Sequence, residues 1–169
     1  MNATSPEVKA LQRRHFSVGW AALLVFVLLG LVLEVLHGFK HPIYLDARNS
    51  TRRLMWTLGH AHGTMLALVQ IAFAASIGFL REPPMGRLRW VSRGLLAAGL
   101  CMPLGFFLGG VQLHGGDPGI GIVFLPVGAL ALVSGLAGCC GLGWGRQAEV
   151  APTPEGALTE PEKRGSKRK

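Results

Sequence analysis

A chain of 169 residues is long enough for one soluble domain, but half of it is hydrophobic and only 15% is charged, against roughly 25% in ordinary globular proteins. That balance excludes a conventional water-soluble fold. The formal net charge of +8 needs no nucleic acid to explain it, because the basic residues are sorted by the apolar blocks between them.

Four stretches, Phe16 to Leu36, Leu54 to Leu80, Leu95 to Leu113 and Ile120 to Trp144, lack Lys, Arg and Asp and carry one Glu between them. Each has about 20 residues or more, the length a helix needs to cross a hydrocarbon core of roughly 30 Å. Unpaired backbone groups are too costly in lipid for anything but helices or a closed barrel, and strict in/out alternation is absent. The expected fold is therefore all-α: an integral membrane four-helix bundle at 15–145, with spans near 16–36, 54–80, 93–113 and 120–144. With the N-terminus inside, thirteen of the 17 Lys and Arg face the cytoplasm, and without the five of the distal tail the balance is still eight to four. The positive-inside rule then puts both termini in the cytoplasm, of a plasma membrane or a bacterial-type inner membrane.

In chain order, residues 1–14 read as a polar, basic cytoplasmic leader, with Thr4, Ser5 and Pro6 as a helix start. The first span is opened by Trp20 and carries Glu34 near its outer end. No small-x-small cleavage pattern follows it, so it reads as a retained anchor rather than a signal peptide. Pro42 closes the helix, and Asn49 and Ser50 offer caps for the second span. Trp56, Trp90 and Trp144 mark further span ends at headgroup level. Pro83, Pro84 and Gly86 turn the chain on the inner side, and Gly115 to Gly119 form a tight outer turn.

Pro103 and Pro126 interrupt the third and fourth helices and invite kinks. Gly105 with Gly109, Gly141 with Gly145, and Ala131, Gly135 and Gly138 form small-residue stripes that let helices approach closely. They suit packing within the bundle, a membrane protein partner, or a homo-oligomer. Cys101, Cys139 and Cys140 form no CxxC motif and read as small helix-contact residues. Residues 146–169 form a basic cytoplasmic tail too polar to bury anything, able to contact anionic headgroups.

Five of the six histidines, His37, His41, His60, His62 and His114, map to the outer third of the membrane, together with Glu34, Asp46 and Asp117; His15 alone is cytoplasmic. Glu34, His37 and His41 share a stripe if the first helix runs to the residue before Pro42. His60 and His62 lie about 9 and 12 Å past the start of the second span. Two residues apart on a helix, they are separated by about 200° and cannot point the same way. Three helices thus deliver imidazoles to one layer, as a haem or metal site in a bundle core requires. A copper or zinc site would draw on Glu34, His37, His41 and His62, or His60 in its place. A proton-coupled carrier would need a second acid deep in a span, where only Gln70 is strongly polar; Gln70 reads instead as interhelical glue.

The stretch Arg53-Leu54-Met55-Trp56-Thr57-Leu58-Gly59-His60-Ala61-His62-Gly63-Thr64-Met65 resembles the haem-ligand helix of heme copper oxidase subunit I. The resemblance spans residues 53–73. It implies that His62, which precedes Gly63, is an axial ligand of a b-type haem, with His114 or His37 as the second. Such a bis-His centre would serve electron transfer or sensing. A non-enzymatic membrane interaction or assembly protein without cofactor is the competing expectation. Hydrolytic chemistry has no G-x-S-x-G, HExxH or paired-acid motif to rest on.

Overall fold

In a computed structural model of the chain, residues 5–46, 50–80 and 84–144 are described. The basic tail, the first four residues of the leader, Asn49 and Pro83 lie outside them. The described residues form four long helices and no strand: α1 (Pro6–Gly38), α2 (Thr51–Ile77), α3 (Met85–Val111) and α4 (Phe124–Trp144), the last led by a 3-10 turn at Ile120–Val123. All four are long and apolar enough to cross a membrane.

Local chemistry sets the ends of these helices. Ser5 caps α1 by accepting from the Val8 amide, and Pro6 occupies the first turn, where its missing N–H costs nothing. At the other end Lys40 takes a left-handed φ of 51°, and the His41 amide donates back to the Leu36 carbonyl at 2.9 Å. This is a Schellman-type stop, with Lys in the position usually held by Gly. The helix therefore ends at Gly38, and His41 falls outside the stripe it would share with Glu34 and His37. Pro126 also departs from expectation: the 3-10 turn ends at Val123, so this proline stands in the first turn of α4, where it interrupts no ladder. Pro103 does sit inside α3.

Consecutive helices run antiparallel. Gly19 of α1 meets Ala67 and Ile71 of α2, whereas Gly30 meets His60; Gly94 of α3 meets Ala131 and Gly135 of α4, whereas Gly105 meets Leu125 and Gly121. Each helix packs extensively only on its neighbour in sequence. Among the described residues α1 touches α3 slightly and α4 not at all. The arrangement is a curved row rather than a closed ring.

One end of the row, the base, is where α1 begins and α4 finishes; the opposite end, the crown, carries the Gly38 to Thr51 and Val111 to Ile120 connections. The tightest apolar core lies near the base, where Val8, Phe73, Ile77, Leu88, Val91 and Leu95 are buried together. Leu132 and Cys139 of α4 pack against it. Gly105, Gly135 and Gly138 of the small-residue stripes lie on the α3/α4 contact, as does Gly128, while Gly145 lies outside the described residues. Close backbone approach at that contact lets the two helices gain dispersion contacts along their length.

Candidate functional site

Polar chemistry is gathered in two layers. The deeper one, near the base, is built on His15, which is fully buried. Its Nδ1 is hydrogen-bonded to Gln70 Oε1, and its Nε2 lies 2.7 Å from Ser92 Oγ. Gln70 in turn donates from Nε2 to the Leu95 carbonyl at 2.8 Å. That last bond fixes the carboxamide, because only its nitrogen can donate. Gln70 Oε1 must then accept from His15 Nδ1, and His15 Nε2 accepts from the Ser92 hydroxyl. One directional chain thus ties α1, α2 and α3 together through side chains that are 0, 3 and 2% exposed. The Phe73 ring closes it edge-on at 4.7 Å from the imidazole.

Gln70 acts as the interhelical link its place in an apolar run suggests. His15 and Ser92 are the residues that sequence reasoning missed. The available signal was the stripe Val8, His15, Gly19 on a helix begun at Ser5, but Arg13 and Arg14 beside it made His15 read as a surface residue.

The second layer holds the crown histidines, and the structure spreads them out. His60 donates from Nδ1 to the Phe26 carbonyl of α1 at 2.8 Å. Its ring fills the notch left by Gly30, where a Cβ would come within 2.9 Å of Nδ1. His62 donates from Nδ1 to the Leu58 carbonyl of its own helix at 2.9 Å, and its ring leans on Phe106 of α3 at 4.7 Å. The two rings face different neighbouring helices, as their angular separation on α2 requires.

His37 is exposed, edge-on to the Tyr44 ring at 6.3 Å. His41 is exposed and accepts from the Ile43 amide at 3.3 Å. His114 is exposed in the turn it forms with Asp117, which Gly115 and Gly116 close with φ of 60° and 104°. Glu34 is exposed on α1. Among the described residues no three His, Cys, Asp or Glu side chains come together to hold a metal ion, so Glu34, His37, His41 and His62 are not assembled into one set.

The crown is instead organised by aromatic rings and one arginine. Buried Tyr44 bonds Thr57 at 3.0 Å and stacks on Trp56, which stacks on Phe107 at 5.4 Å. Arg52 lies 5.8 Å over the Trp56 ring. It also donates to the carbonyls of Gly110 at 2.9 Å, Val111 at 3.4 Å and Ile43 at 3.2 Å. A residue on α2 thereby serves the carbonyls that α3 leaves open at its end. Arg52→Ala is expected to cost about 1.5–3 kcal/mol, the range for bonds that involve a charged group, toward its lower end because the site is partly exposed. Arg52→Lys should recover only a fraction, since a single ammonium cannot span three carbonyls in a fixed fork. Detergent-solubilised protein titrated with dodecyl sulfate would measure both, and equal stability of Ala and Lys variants would argue against the fork.

Between these layers the row leaves a cleft of about 540 Å³ with α2 as its floor and α1 and α3 as its walls. Val18, Val25 and Phe26 line one wall, Leu96, Leu100 and Phe107 the other, and Gly63 and Gln70 the floor.

No family model, curated protein or solved structure matches this chain.

Proposed function

We propose that the chain is an integral membrane protein that crosses the bilayer four times with its base in the cytoplasm, and that it acts by association within the membrane rather than by catalysis. The observation that carries this reading is how the imidazoles within the helices are used. His15 is bonded through both ring nitrogens, His60 holds α1, and His62 is tied to its own helix beside α3. Intramembrane polar groups that bond across helices act as structural glue. They lock α1 to α3 in an open row and, among the described residues, leave the outward faces of α1 and α4 without a helical neighbour. Only 11% of the most apolar window of α1 is buried inside the chain. Leu24, Leu28, Leu31 and Val35 form an exposed stripe along it, suited to lipid or to the helix of a membrane partner or second copy. The cytoplasmic base is supported by the basic residues of α1 and α3 that gather there, Lys9, Arg13, Arg14, Arg87, Arg89 and Arg93.

Site-specific photocrosslinking in the native membrane tests this. A benzophenone side chain at Leu28 should give one discrete protein adduct, whereas one at Trp20 on the same helix nearer the interface should give less. Lipid adducts alone at both positions would sink the association reading.

A second reading is a b-type haem or a single copper or zinc ion held by crown histidines, for electron transfer or sensing. One observation favours it: the Nδ1 bond of His62 fixes the tautomer and leaves the Nε2 lone pair without a hydrogen bond among the described residues, the disposition that a ligating histidine takes. The resemblance of residues 53–73 to the oxidase haem helix points to the same side chain, with His114 or His37 as the second ligand. Oxidised and dithionite-reduced absorption spectra, with metal analysis of the same preparation, decide it. A Soret band lost in His62→Ala would establish the haem and displace the cofactor-free reading; a colourless, metal-free preparation from the native membrane would remove the second reading.

A further inference from the structure

The cleft between α1 and α3 is shaped by the deeper polar layer. The bond from Ser92 to His15 joins the two helices near the base, and the cleft beyond it is walled mainly by apolar side chains. Two cations adjoin that bond in sequence. Arg14 immediately precedes His15, and Arg93 immediately follows Ser92.

Helical spacing puts each cation in line with a wall of the cleft. Arg14 heads the stripe Val18, Ala22, Val25 and Leu29, and Arg93 heads the stripe Leu96, Leu100 and Leu104; all seven apolar residues line the space. Neither guanidinium has an ion-pair or hydrogen-bond partner among the described residues, in contrast to Arg89, which pairs with Glu7 at 2.9 Å, and Arg87, which donates to the Gly141 carbonyl at 2.8 Å. From Val18 to Leu29, as from Leu96 to Phe107, the helical rise gives a length of about 16 Å. One leaflet of hydrocarbon is about 15 Å thick.

We infer that this cleft binds an anionic phospholipid of the inner leaflet, with an acyl chain between α1 and α3 and the phosphate on Arg14 and Arg93. The inference rests on the membrane-spanning reading with the base in the cytoplasm. Charge complementarity selects the occupant: two guanidiniums at headgroup level offer forked donors to one phosphate, and the apolar trough behind them has the length of one acyl chain. A neutral lipid would meet the trough but leave the cation pair unused.

Native mass spectrometry of delipidated protein in detergent tests the assignment, with phosphatidylglycerol and phosphatidylcholine of identical acyl chains as probes. One phosphatidylglycerol per chain should be retained at about thirtyfold lower concentration than phosphatidylcholine, as expected for two basic contacts at about 1 kcal/mol each. The double variant Arg14→Gln/Arg93→Gln should abolish that preference, and Arg53→Gln, at the crown, should leave it intact. Ala22→Phe, which fills the trough, should remove the first bound lipid of either class. Undiminished phosphatidylglycerol preference in the double variant would overturn the proposal, and so would a first lipid still held by Ala22→Phe. A lipid-free dimer that Ala22→Phe dissociates would give the cleft to a second copy instead. Release of the wild type from its membrane by alkaline carbonate without detergent would overturn the membrane reading itself, a failure separate from loss of lipid selectivity.

Discussion

Replacing Gln70 by leucine should lower the stability of the solubilised protein by about 2–3 kcal/mol, because it strands a buried imidazole N–H that has no other acceptor. The loss is larger than the roughly 0.6 kcal/mol typical of a single intramembrane hydrogen bond, since Gln70 serves α1 and α3 at once. Ser92→Ala, which removes only the donor to His15 Nε2, should cost about 1 kcal/mol. The decisive comparison is the double variant His15→Phe/Gln70→Leu. Replacing both members of a buried polar pair by apolar groups of similar shape is far less costly than removing one, so the double variant should be more stable than Gln70→Leu alone. Dodecyl sulfate titration followed by circular dichroism would measure all three, and additive losses would show that the two side chains act independently.

The second large effect is steric. A Cβ on Gly121 would sit 2.6 Å from the Gly109 amide nitrogen and 2.8 Å from the Leu108 carbonyl carbon, besides meeting the Leu108 Cβ. Those are backbone atoms of α3 and cannot rotate away. Gly121→Val should therefore push the 3-10 turn off α3 and cost about 3 kcal/mol, the upper part of the range for overpacking. Gly86 supplies the control, since nothing lies within 4 Å of a Cβ built there. In the first turn of α3, Gly86→Ala should be neutral or stabilising by up to about 1 kcal/mol. The same thermal or detergent titration serves both, and a Gly121→Val protein as stable as the wild type would refute the close approach.

The four helices were legible because the apolar blocks are long and separated by Pro, Gly and charge, a pattern strong enough to survive any uncertainty about ends. Ser5 and Pro6 were readable as a helix start for the same elementary reason, a side-chain acceptor followed by a residue without an N–H. That His60 and His62 face different helices follows from angular geometry alone. Gln70 was readable as glue because a carboxamide among apolar residues must find partners. His15 was not, since its two arginine neighbours dominate any local average while Val8, two turns earlier, and Gly19, one turn later, mark its buried face too sparsely. Nor was the stop at Gly38, because it depends on Lys40 accepting a left-handed backbone that residue type does not announce. The Glu34, His37 and His41 stripe depended on that one dihedral.

An open row has a consequence for biogenesis. Nearly every helix contact joins sequence neighbours, so loop closure is short and contact order is low. The α1/α2 hairpin can settle before α3 has emerged, and α3 then brings Ser92 and the Leu95 carbonyl to a His15 and Gln70 already side by side. Until that moment those two groups have only each other as partners. The arrival of α3 is thus the step at which the growing chain first completes its buried polar network, and α4, which adds no member to that network, docks onto a three-helix unit whose geometry is already set.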